Sequence, residues 1–343
     1  MWFAIWRKLS RHGHDKADVR SVSGSAAPAP PRWVRWMMCF RILWRVSLPH
    51  ARHGWGLKVL HQCTMLLVAL AVLVLGVFGR SAFAQEIAIT LDDLPYVMPS
   101  RTSPQEGLAQ VNAVNLHLAG HDIIATGFVV GQQVTSQSLP ALQAFVAAGH
   151  TVGNHSWSHS DYGTQSARVF RNETERTDRV LAQWLRENRF YRFPFLREGE
   201  TEAAKQAAEQ ILARLGYVNV PVTIDNDEWR FNADYIAALS AGDKSAAEAI
   251  AGRYIEHMQE QTLHFQTLAQ EVLGRDVKHI LLLHMNQINA DHLDRLLGWY
   301  ADEGWTFITV GAALTDPLYA APDLYTGPRG VSQIERVSVR LLD

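Results

Sequence analysis

The sequence predicts an α/β protein whose parallel β-sheet closes into a barrel, and three observations lead there. From Glu86 onward, short apolar runs alternate with longer amphipathic ones, the signature of strands in a parallel sheet with helices outside it. Seven such apolar runs occur within one domain's length, a number that suits a barrel better than an open sheet. Polar residues able to do chemistry then sit at or just past the ends of several runs, where the active side chains of a parallel barrel project.

Taken in order, the apolar run Ile87–Leu91 is the first strand and Pro104–Ala119 the helix after it. Strand Ile123–Val130 leads to helix Leu139–Ala148, and strand His150–Gly153 to helix Ser166–Glu187. Strand Tyr191–Phe193 precedes helix Glu200–Leu215, and strand Tyr217–Thr223 precedes the long helix Ser245–Leu273. The very apolar Ile280–Leu283, helix Ala290–Asp302 and strand Trp305–Val310 complete the alternation. Asp316–Asp343, with its Gly and Pro turns, reads as a tail wrapping the body. No internal repeat is evident.

The first 84 residues read differently. Met65–Phe78 is uncharged and apolar, follows basic residues, and is followed by the A-x-A sequence Ala82-Phe83-Ala84. That is a signal-peptide pattern with cleavage after Ala84. At 14 residues the run is short for a bilayer-spanning helix, which needs about 20 residues. The expectation is export to the periplasm or the medium, with no stable membrane span after cleavage. The alternative is a membrane anchor through an uncleaved 65–78 segment. The stretch before the run is long for a signal peptide, and a start at Met37 or Met38 would place residues 1–36 outside the natural chain.

Charge and cysteine narrow the function. Residues 1–84 hold 12 of the 32 Lys and Arg but only 2 of the 34 Asp and Glu, so the remainder has 20 basic and 32 acidic side chains, a formal charge of −12. Such a surface argues against nucleic acid, whose phosphates are bound by clustered Lys and Arg. Both cysteines, Cys39 and Cys63, lie in the leader, so residues 85–343 use neither disulfides nor thiolate ligands. That span fits one catalytic domain with an ample core.

Five segments carry the chemistry. Asp92-Asp93 follows the first strand; this could be a turn, but paired carboxylates also divide readily into a metal ligand and a free general base. His155 and His159 form H-x-x-x-H, and i and i+4 on a helical turn share a face, so both imidazoles can reach one ion. With one aspartate they make a His₂Asp site; zinc is the first choice, and cobalt, nickel, manganese or iron suit the same ligands. Arg192, in Tyr-Arg-Phe-Pro-Phe, can hold an aspartate ionised through a bidentate contact. His284 ends the run Ile280–Leu283 and can serve as general acid, with Asp225, Asp227 or Glu228 as its acidic partner. His117, His121, His150, His257, His264, His279 and His292 have no comparable setting and read as structural.

The pattern resembles the polysaccharide deacetylase family, the NodB-homology carbohydrate esterases, over about Glu86 to Val310. Thr90-Leu91-Asp92-Asp93 is similar to that family's T-F-D-D-G, which implies Asp92 as base and Asp93 as metal ligand. His155 and His159 match H-[ST]-x-x-H, and Arg192-Phe193-Pro194-Phe195 is similar to R-x-P-Y. There the arginine orients the base, and the aromatic residue, here Phe195, offers a backbone N–H to the oxyanion. Asp225 to Trp229 resembles the acidic-Trp motif. Leu282-Leu283-His284 resembles L-x-H, with Leu282 lining the acyl pocket, Trp229 helping to shape it and Asp225 counted with the substrate-binding set. The resemblance implies a distorted (β/α)₇ barrel and metal-dependent N- or O-deacetylation of a glycan, a hydrolysis of non-peptide carbon–nitrogen bonds in the N-acetyl case. Three departures stand out: Leu94 replaces the glycine after the Asp pair, which would narrow the substrate groove or redirect the loop; the third motif runs Phe195-Leu196-Arg197-Glu198-Gly199 where the family has a glycine directly; and Glu228 replaces the Asp before Trp229. The Leu94 and Glu228 departures favour one other outcome, a catalytically silent glycan-binding protein; a same-fold amidase or esterase for a small molecule is a second alternative.

Overall fold

The computed structural model describes residues 85–97, 102–185 and 189–338. The signal-peptide and anchor expectations fall outside them. Among the described residues no helix is long and apolar enough to cross a membrane.

Seven strands form one all-parallel sheet: β1 (Glu86–Leu94), β2 (Thr126–Val129), β3 (Thr151–Asn154), β4 (Phe190–Tyr191), β5 (Val218–Asn219), β6 (Lys278–His284) and β7 (Thr306–Ile308). The order is β5-β4-β3-β2-β1-β6, with β7 pairing the start of β1, where β2 does not reach. The chain after β5 joins the two edges. Val220 N–H donates to Tyr191 O at 2.8 Å on one side, and Leu282 N–H donates to Ile224 O at 3.2 Å on the other. The sheet is therefore a distorted (β/α)₇ barrel, as expected.

Strand alternation sorts the side chains into two layers. On β1, Ile87, Ile89 and Leu91 face outward into the main core under the helices, while Ala88 faces inward with Phe128, Val222, Ile280 and Leu282. The inner face continues upward through Thr90 and Asp92, both buried. On β6, His284 continues the inner row of Ile280 and Leu282. Because β1 and β6 run in register with Asp92 opposite His284, two residues remote in sequence emerge side by side at the carboxyl end of the barrel.

The helices are α1 (Pro104–Gly120), α2 (Leu139–Ala147), α3 (Ala167–Leu181), α4 (Glu202–Arg214), α5 (Glu228–Ser240), α6 (Lys244–Leu273) and α7 (Gln287–Asp302), with short turns α8 (Val310–Ala313) and α9 (Gln333–Arg336). Local chemistry sets several ends. Ser103 and Glu106 form a reciprocal capping box before α1, and Gly274 closes α6 in the left-handed conformation. Three readings of the sequence need correction. The third helix stops at Leu181 instead of running to Glu187. α5 was not foreseen, because its acidic, aromatic start reads as a site motif. The tail is not all turns: α9 packs the fully buried Ile334 into the core.

Candidate metal centre

Asp92 and Asp93 would point to opposite faces of a regular strand. They do not, because β1 carries a bulge between Leu91 and Leu94, with Asp93 at φ 64°. The bulge lifts Asp93 toward the barrel mouth and lets Leu94 resume the outward row. Asp is among the residues that tolerate this conformation best. The expectation that Leu94 narrows a groove is corrected here: it is fully buried in the outer core. Gly127 makes room for it, since a Cβ at that position would collide with Leu94 Cδ2 and reach Phe145 at 2.8 Å.

His155 follows β3 directly, and the expected helical turn is absent. His155 to Ser160 are irregular, with Ser156 at φ 62° and His159 at φ 55°. Side chains fold this loop. Asn154 Oδ1 accepts from Ser156 N–H at 2.9 Å, Ser156 Oγ accepts from His159 N–H at 3.0 Å, and Glu173 on α3 accepts from Ser158 N–H at 2.7 Å. The result equals what a helix face would have achieved: the two imidazole rings lie 4.9 Å apart.

One ligand atom each from Asp93, His155 and His159 lie within 4.8 Å of one another. His159 Nε2 is 3.3 Å, and His155 Nε2 3.9 Å, from Asp93 Oδ1. The protonation of His155 follows from its neighbour: Nδ1 sits 2.9 Å from the Arg192 carbonyl, which can only accept, so Nδ1 carries the hydrogen. Burial lowers its pKa to about 4 against the pull of Asp92, leaving Nε2 with a bare lone pair. That lone pair faces the carboxylates, and Asp93 Oδ1 is buried without a hydrogen-bond donor. Acceptors facing acceptors in a buried site call for a cation, so the donor set fits a divalent ion. Burial raises the Asp93 pKa, but the imidazoles of His159, His284 and His155 outweigh it and hold the carboxyl below its usual value.

Arg192 is turned inward because Tyr191 and Phe193 turn outward. Phe193 stacks on Phe170 at 5.3 Å, and Tyr191 meets it edge-on at 5.0 Å. The guanidinium is buried over the Phe128 ring at 4.1 Å. Nη1 donates to Asp92 Oδ1 at 2.8 Å and to Thr90 Oγ1 at 2.7 Å, while Nε donates to Val220 O at 3.0 Å. The expected bidentate grip is therefore corrected: the β5 segment takes Nε, and a single arm reaches Asp92. Oδ2 stays turned to the site, 3.5 Å from His155 Nε2.

The partner of His284 is Glu228. Its Oε2 lies 2.8 Å from His284 Nδ1, and its Oε1 accepts from Asn286 at 2.5 Å and Asn289 at 2.6 Å. Glu228 is fully buried in the first turn of α5. Burial alone would lower the His284 pKa; the hydrogen bond and charge of Glu228, with smaller pulls from Asp93 and Asp92, raise it to about 9. Asp227 instead pairs with Arg230 at 2.8 Å on the surface. Asp225 accepts from the Asn226 N–H, and burial pushes its carboxyl up to about 6.

Leu282 is buried one step below His284. Phe195, 54% exposed and at φ 59°, stands edge-on to His159 at 4.6 Å. Trp229 is 47% exposed at the start of α5, with Arg230 5.2 Å from its ring. Sequence reasoning missed Thr90, Asn286, Asn289 and Glu173. Asn286 carried a signal, since an Asn two residues past a strand reads as a helix N-cap, and here it caps α7.

Residues 80–220 match the family model described as polysaccharide deacetylase. An uncharacterized 30.6 kDa protein encoded in the fumA 3' region of Geobacillus stearothermophilus is 28% identical over 211 residues, 61% of this chain and 67% of that protein. Among solved structures, the fold is similar to a mutant CE4 family pseudoenzyme with restored enzymatic activity, at TM-score 0.48 and 18% identity over 68% of each chain; the wild-type protein comes from Bacillus anthracis. It is also similar to the peptidoglycan deacetylase PdaC from Bacillus subtilis, at TM-score 0.46 and 19% identity over 67% of this chain and 90% of that one.

Proposed function

We propose that the chain, whose residues 80–220 match the polysaccharide deacetylase family model, removes acetyl groups from a glycan, with Asp92 as general base and His284 as general acid. The observation that carries this reading is the convergence of Asp93, His155 and His159, whose ligand atoms lie within 4.8 Å of one another with a bare imidazole lone pair turned to a carboxylate.

Asp93, His155 and His159 would hold a divalent ion, zinc first among the candidates. When bound, such an ion supplies Lewis acidity at the acyl oxygen and makes water a better nucleophile at neutral pH. The remaining work belongs to the chain. Arg192 occupies Asp92 Oδ1, which leaves Oδ2 to take the proton as water attacks the acyl carbon. The Phe195 N–H donates to the oxyanion, a contact worth roughly 3–4 kcal/mol of transition-state stabilisation. Glu228 holds His284 Nδ1, which leaves Nε2–H to protonate the departing amine or alkoxide. In this reading Leu282 lines the acyl pocket, and Trp229 and Asp225 meet the sugar. Neither the Leu94 nor the Glu228 departure from the family pattern removes a working group, since Leu94 lies in the core and Glu228 reaches His284.

The test is acetate release by the purified full chain, with and without chelator. Substrates are N-acetylated chitooligosaccharides, acetylated peptidoglycan and simple N-acyl amides. Chelator-sensitive release from a glycan is the expected result. Turnover of simple amides alone would replace the glycan with a small molecule, and stoichiometric glycan binding without acetate at saturating zinc would make the protein a silent binder.

A further inference from the structure

Two adjacent residues of the Phe195 loop hold a conformation they would not choose. Phe195 and Leu196 both have positive φ, 59° and 55°, and neither is glycine. Side chains with a Cβ persist there only where the surroundings over-determine them. The loop's own hydrogen bonds, Leu196 N–H to Phe193 O at 3.1 Å and Arg197 N–H to Pro194 O at 3.2 Å, define one short turn. Further constraints come from the C-terminal segment, more than a hundred residues away.

Arg336, buried on α9, donates from Nη2 to Leu196 O at 2.8 Å. Its Nη1 meets Asp323 Oδ2 at 2.9 Å, and Nε lies 3.5 Å from Glu198 Oε1 just past the loop. Lys205 of α4, also buried, joins Asp323 at 3.0 Å, and Asn219 donates to Glu198 Oε2 at 2.9 Å. Gly330 lies so close to the loop that a Cβ there would collide with the Phe195 carbonyl oxygen. The segment is tied down independently, through Gln333 N–H to Val222 O at 2.7 Å and Ser332 Oγ to Thr223 O at 3.2 Å.

We infer that the C-terminal segment Asp323–Val337 is a positioning clasp, with Arg336 and Gly330 fixing the Phe195–Leu196 backbone in its left-handed conformation and so aiming the Phe195 N–H. Its effect on turnover rests on the proposed function; its effect on the loop does not. Gly330→Ala leaves the charged network intact and pushes on the Phe195 carbonyl. Arg336→Lys keeps a positive charge between Glu198 and Asp323 while removing the arm that reaches Leu196.

The measurement is residue-resolved amide hydrogen exchange on the full chain. In both variants the Leu196 and Arg197 amides should exchange about tenfold faster than in the wild type, while Leu281 and Leu283 of β6 change by less than about twofold. Acetate release should fall about tenfold in kcat, with zinc affinity unchanged. Wild-type exchange at Leu196 and Arg197 in either folded variant overturns the clasp. An inactive wild-type chain would instead count against the deacetylase reading, and the exchange rates would still decide the clasp.

Discussion

Replacing Glu228 with glutamine isolates one charge beside the proposed acid. The amide keeps the shape of the side chain: its oxygen can accept from Asn286 and Asn289, and its NH₂ can face a neutral His284 Nδ1. What disappears is the reason for His284 to stay protonated. The rise from 6.5 to about 9 corresponds to roughly 3 kcal/mol favouring the imidazolium. In the wild type, activity that needs protonated His284 is full at low pH and lost as pH rises through an alkaline limb, at about 9 for the bare site. A cation at Asp93 lowers that limb by offsetting the smaller carboxylate contributions, while Glu228 still holds it up. In Glu228→Gln that support is gone and the limb moves to lower pH; loss of the full rise would cut the protonated fraction at pH 8 about 30-fold. The assay is kcat/KM for acetate release across pH 6 to 9. Activity at pH 6 should stay within a few-fold of wild type, with the deficit opening above it. A deficit of equal size at pH 6 and pH 8, or an unmoved limb, would refute the acid role. The same linkage bears on folding: with the pKa raised, the pair's stabilisation is complete below 6.5 and is lost as pH rises toward about 9.

Other outcomes follow from the same contacts. Arg192→Met leaves Asp92 buried without its cation, and chemical denaturation should show a loss of about 3–5 kcal/mol together with loss of activity. Gly127→Ala forces a methyl against Leu94 and Phe145, and thermal denaturation should report about 1–3 kcal/mol of overpacking. Saturating zinc at 100 times its Kd should stabilise the chelator-treated protein by about 2.7 kcal/mol, read as a rise in Tm.

Much of the frame was legible because periodicity and burial agree. The apolar runs of β1 and β6 read as strands without help, and their shared inner face follows from alternation alone. Asp92, His155, Arg192 and His284 were legible for a related reason: each sits at the carboxyl end of a strand or directly after it. The second histidine reaches the first by a route the spacing does not suggest. Spacing suggested a helix, but Asn154, Ser156 and Glu173 fold a loop, and such side-chain-to-backbone bonds leave no periodic trace. The rotation of Asp93 was equally invisible, since a bulge depends on how β2 meets β1. Identifying Glu228 among three acidic neighbours required knowing that α5 begins there and buries its first carboxylate. The clasp is the least legible feature, because its partners are distant in sequence and individually ordinary.

The most direct test of the account is a calorimetric titration of zinc into the chelator-treated full chain and its Asp93→Asn variant. One tight site is expected in the wild type and at least tenfold weaker binding in the variant, about 1.4 kcal/mol or more. Absence of a wild-type site, or equal affinity in both proteins, would contradict it.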